Sequence, residues 1–109
     1  MTGEEYIEIK RKRAVEVANG MLDGTLNYLE GAIELASLRF EVGLLEDDSD
    51  FLTFTGIASE TDHLPIGKAR QYWSKEALEK HELEIQKSIK WAKEISLQQC
   101  RSIAEKWNA

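Results

Sequence analysis

The sequence predicts an all-α protein with three main helices, about 4–21, 28–42 and 75–107, in a single helical domain, 1–109. Three observations carry that expectation. Apolar residues recur at three- and four-residue spacing over long stretches. Good N-cap residues stand where those stretches begin. The only proline, Pro65, lies in the one segment where the helical pattern fades.

The first helix follows from Tyr6, Ile7, Ala14, Val17, Ala18 and Met21, which share one face at 3.6-residue spacing. Glu4 and Glu5 suit the positive end of a helix dipole. Gly20 and the run DGT at 23–25 mark its end. In the second helix Asn27 is the cap and Glu30 its capping-box partner. Two apolar seams follow, Leu29–Ile33–Ala36–Phe40 and Tyr28–Ala32–Leu35–Val42, so this helix belongs at the centre. Gly43 is the expected stop.

The last helix has Ser74 as cap and Trp73 placed to pack on Leu78 as a hydrophobic staple. Its stripe is Leu78, Ile85, Ile89, Ala92, Ile103 and Trp107, with His81, Ser96, Gln99 and Cys100 on the same arc. Unbroken, it would be roughly 50 Å long at ~1.5 Å per residue. That length must overhang the core, bend, or pack on a second chain. Between the second and last helices the sequence predicts an irregular crossover with one or two short helical turns. Phe51, Phe54, Thr55 and Ala58 supply the first, capped by Ser49 or Asp50; "IGKARQYW" supplies another.

The formal charge of −6 argues against a general nucleic-acid binder, which needs a basic face. Residues 46–62 hold six acids and no base. The run KRKR at 10–13 is flanked by Glu4, Glu5, Glu8 and Glu16 and reads as a solvated helix face. A lone cysteine, Cys100, excludes an internal disulfide framework and fits a reducing compartment. The opening MTGEEYIEIKRKR lacks the apolar run of a secretory signal, and no stretch is long and apolar enough to span a membrane. A cytoplasmic location is the expectation.

No catalytic residue, metal site or cofactor is expected. The acidic run fails the calcium-loop pattern, because Phe51 stands where glycine is required and Ile57 where the closing glutamate is required. His63, His81 and Cys100 lack zinc-ligand spacing. Ser59, Asp62 and His63 crowd too closely for a triad, and the glycines form no phosphate loop. Cys100 reads as a buried structural thiol. The best candidate for a small ligand site is Glu60, Asp62 and His63 with Arg70, set against a reading in which Glu60 or Asp62 pairs with Arg70 to hold the crossover. Partner binding is the stronger expectation, through Asp47, Asp48 and Asp50 and through Leu83 and Trp91 on the outer side of the last helix.

The stretch DFLTFTGIASETDHLPIG, preceded by EGAIELASLRFEVG and followed by ARQYWSKEAL, resembles the signature of a family of small bacterial proteins of unknown function. The resemblance spans nearly the whole chain. It implies a bacterial, single-domain, all-helical protein, and no catalytic role follows from it.

The leading functional expectation is a non-enzymatic protein that binds a basic protein partner through the acidic crossover. Neutralising a basic toxin or nuclease, as an inhibitor or immunity protein would, is its sharpest form, by analogy of size and charge. A ligand site or enzyme around Glu60, Asp62, His63 and Arg70 is the rival. A homodimer through the last helix is the third reading.

Overall fold

A computed structural model describes residues 2–44 and 48–107. All regular structure among them is helical. Helix α1 runs Gly3–Asp23, α2 Tyr28–Leu38, α3 Ser49–Glu60 and α4 Lys75–Glu105, with a 3₁₀ helix at Gly67–Tyr72. The expectation of three helices and a crossover is therefore corrected to four, because α3 is a full 12-residue helix.

Local chemistry sets most helix ends. Thr2 and Glu5 form a reciprocal capping box on α1. Past Gly20 the helix continues to Asp23 and closes at Gly24, whose φ of 85° is a left-handed conformation suited to glycine. Gly20 instead gives room to the chain folding back, since a Cβ there would lie 3.1 Å from that of Leu26. Asn27 accepts from Leu29 N and Glu30 N, and Ser74 from Ala77 N. The cap of α3 is Asp48, one residue before the expected Ser49 or Asp50.

Helix α2 ends at Leu38, not near 42. The chain leaves the helical path so that Val42 is buried and its carbonyl accepts from Arg11 Nε at 2.8 Å. Gly43, at φ 74°, then passes close against Ile7 and Arg11. Phe40, beyond the end of α2, and Ile33 within it, both expected on a buried seam, are exposed.

Long-range bonds fix the topology. Cys100 Sγ reaches the Ala18 carbonyl and Arg11 lies over Trp107, so α1 and α4 are antiparallel. Arg13 pairs with Glu34 and Arg11 with Val42, so α1 and α2 are antiparallel. Asp50 bonds Ser102 and His63 bonds Glu84, so α3 and α4 are antiparallel. This is an up-down-up-down bundle with α2 and α4 across its short diagonal. The core is Val17, Met21, Leu29, Leu35, Phe51, Phe54, Ile57 and Ile103 with their small neighbours. Met21 of α1 fills the notch left by Gly31 of α2. With 31 residues, α4 runs the full 46 Å length of the molecule. The segment after α3 folds beneath its first turns, burying Leu64 and Pro65 and stacking Trp73 edge-on to His81 at 5.2 Å.

Candidate functional site

The run KRKR builds one wall of the site, and none of its four bases is spare. Lys10 pairs with Glu41, Lys12 with Glu8, and Arg13 with Glu16 and Glu34. The Glu34 hydrogen bond holds the Arg13 guanidinium above its ordinary pKa. Tyr6 donates to Glu41 at 2.7 Å, which raises the phenol's pKa because ionisation would set two negative charges together. Arg11 is the pivot, bonded to the Val42 carbonyl and lying 5.3 Å from the Trp107 ring centroid. The solvated face expected from sequence holds for Lys12 and Arg13, which are exposed, while Lys10 and Arg11 are half-buried and join α1 to the chain after α2 and to the end of α4.

Trp107 is held from the other side by Phe51, with ring centroids 6.3 Å apart. Beneath it the start of α3 is clamped to the end of α4. Lys106 lies 2.9 Å from Asp50 and 3.9 Å from Asp48, and Ser102 donates to Asp50 at 2.6 Å. Asp48 at the N-cap and Asp50 in the first turn of α3, and Lys106 at the C-cap of α4, all complement the helix dipoles.

These contacts leave an open groove of about 960 Å³ along α1. Ile7, Val15 and Trp107 give it apolar surface; Glu4, Glu8 and Glu16 line it with acids, of which Glu8 pairs with Lys12 and Glu16 with Arg13, and Arg11 is bonded to the Val42 carbonyl. Its helix residues recur every three or four positions, the signature of one continuous helix face. A smaller depression of about 300 Å³ lies between α2 and Ile66–Gly67.

The structure places the sequence-derived candidates as follows. Glu60, Asp62, His63 and Arg70 are exposed, and among the described residues no hydrogen bond or ion pair joins these four side chains to one another. His63 turns away from them to Glu84, at 2.7 Å. Asp48 and Asp50 are half-buried in the clamp, and Asp47 lies outside the described residues. Leu83 and Trp91 are exposed on α4. Cys100 is fully buried beside Tyr28 and Ser96, where burial pushes its pKa to about 11 and that of Tyr28 to about 12. Tyr28 and Ser96 hydroxyls share a 2.7 Å bond, and Ser96 also donates to the Ala92 carbonyl. Among the described residues no group of three or more His, Cys, Asp or Glu is placed to hold a metal ion, and no helix is long and apolar enough to cross a membrane.

Sequence reasoning missed the groove. Helical spacing puts Ile7 on the core face of α1 and Trp107 on the stripe of α4, and neither position by itself points to a groove. The only local hint was the charged, helical spacing of Glu4, Glu8, Arg11 and Glu16.

Fold and groove together define a small four-helix protein with a channel of apolar and charged side chains along its first helix. Residues 8–103 match the model of the DUF2489 family, described as a protein of unknown function, and the chain belongs to that family. No curated protein and no solved structure matches it.

Proposed function

We propose that the protein is a non-enzymatic binding protein that takes a basic, apolar segment of a protein partner into the α1–Trp107 groove. One observation carries the reading: an open groove of about 960 Å³ combines apolar surface from Ile7, Val15 and Trp107 with the carboxylates Glu4, Glu8 and Glu16. Such a channel suits a helix whose apolar face enters while lysines or arginines reach the rim. The formal charge of −6 would steer that partner in. The proposed site therefore moves from the acidic crossover to α1, where apolar surface and carboxylates line one groove.

Site-specific photo-crosslinking in the native host tests this. A crosslinking side chain replaces Lys12 at the groove, or Gln86 on the far side of α4 as control. The proposal expects one dominant adduct from position 12, absent from position 86, with the captured peptide rich in lysine or arginine and apolar residues. Glu8→Lys should reduce that adduct. Equal labelling from both positions, or capture of an acidic peptide, would overturn it.

A further inference from the structure

The α1–Trp107 groove carries a cation of its own. Its lining sets three carboxylates, Glu4, Glu8 and Glu16, against two bases, Arg11 and Lys12, a net charge of only −1. The two bases are held differently. Arg11 is half-buried, with Nε on the Val42 carbonyl at 2.8 Å and its guanidinium over the Trp107 ring, so it is part of the wall. Lys12 has a single ion-pair partner among the described residues, Glu8, at 3.9 Å. Both of those side chains are largely exposed, Lys12 at 74% and Glu8 at 70%. So open and long a pair contributes little, and Lys12 leaves Glu8 easily.

We infer that Lys12 is a specificity-determining residue of the groove, a tethered cation that competes with the bases of an incoming segment for Glu8. The inference rests on the reading of the groove proposed above and names what limits it. A partner's lysine or arginine reaches Glu8 only after Lys12 swings aside on its flexible four-carbon stem. The displaced ammonium stays within a Debye length of the newcomer and repels it. A segment with one base merely exchanges one cation for another at Glu8. A segment with two bases one helical turn apart gains more, because Glu4 stands one turn before Glu8 on the same face. Among the described residues Glu4 has no ion-pair partner. The groove as built therefore rejects segments of low positive charge and takes those with paired bases.

Calorimetric titration of the purified full chain with a synthetic amphipathic peptide of leucine and lysine tests this. Lys12→Gln should bind the peptide about three- to tenfold tighter than the wild type at low ionic strength, and the gain should shrink as salt is added. Lys12→Arg keeps the charge and should bind no tighter than the wild type. In a Glu8→Gln background the gain from Lys12→Gln should largely vanish, because the carboxylate under competition is gone. Circular dichroism checks that these exposed substitutions leave the fold intact. Equal affinity of wild type and Lys12→Gln, or the same gain with and without Glu8, would overturn the inference and leave the groove reading standing. Failure of the peptide to bind the wild type or any variant would overturn the groove reading, and this inference with it.

Discussion

The two halves of α4 are held in different ways. From Ala92 to Ala104 the helix is set among the other three, with Ala92, Ser96, Cys100, Ile103 and Ala104 buried. From Lys75 to Lys90 only Ile85 is buried, and the contacts come from the chain between α3 and α4, where His63 bonds Glu84 and Trp73 stacks on His81. The same periodicity runs through both halves, so the difference is one of partners. It teaches that a continuous helix can be anchored at one end and serve as a stiff arm at the other. Substitutions should therefore act unequally along it.

The largest expected effect is at the anchored end. Ile103→Ala removes a fully buried side chain and should cost about 2–5 kcal/mol, whereas Leu78→Ala, half-buried on the arm, should cost about 1 kcal/mol. Urea denaturation of the two variants measures the contrast; equal losses would erase it.

Gly31→Ala comes next. A Cβ there collides with the buried Met21 side chain, so overpacking should cost about 1–3 kcal/mol despite the better helix propensity of alanine. Met21→Ala combined with it should recover part of that loss, which a double-mutant cycle reads directly.

Ser96→Ala leaves the buried Tyr28 hydroxyl without its partner and should cost about 1–3 kcal/mol in thermal unfolding. The same cluster gives a pH dependence. Folded Cys100 and Tyr28 have pKa values raised to about 11 and about 12, from 9.0 and 10.0. Each group binds its proton more tightly in the folded state. Their contribution is thus fully present below pH 9.0 and is lost as pH climbs through 11 and 12. Cys100→Ala should flatten the first part of that alkaline decline; an unchanged profile would place its cause elsewhere.

The smallest effects compare ion pairs at the two ends. Lys106→Met removes a half-buried base shared by Asp48 and Asp50 and should cost about 1 kcal/mol. His63→Ala removes an exposed pair with Glu84 and should cost less, about 0.5 kcal/mol or below. Reversal of that order in chemical denaturation would contradict the ranking of the two ends.

What was legible in the sequence followed short-range rules. The caps Asn27 and Ser74, the stripe of α4 and the burial of Phe51 and Phe54 all rest on residues a few positions apart. Helix α3 was underread because Ser49, Thr53, Thr55, Gly56 and Ser59 are weak helix formers, and burial of Phe51, Phe54 and Ile57 overrides them. The end of α2 was misplaced because the decisive bond comes from Arg11, on another helix. The candidate set Glu60, Asp62, His63 and Arg70 shows that nearness in sequence is not convergence. His63 finds Glu84 on α4, and the groove joins α1 to Trp107 at the far end of the chain.

Hydrogen exchange resolved along α4 tests the contrast most directly. Amides from Ala92 to Ala104 should exchange only through global unfolding, with one shared free energy that falls with denaturant. Amides from Glu79 to Glu84 should exchange through smaller local openings, at lower free energy and with little denaturant dependence. Uniform protection along the whole helix, tracking global stability in both halves, would contradict the account.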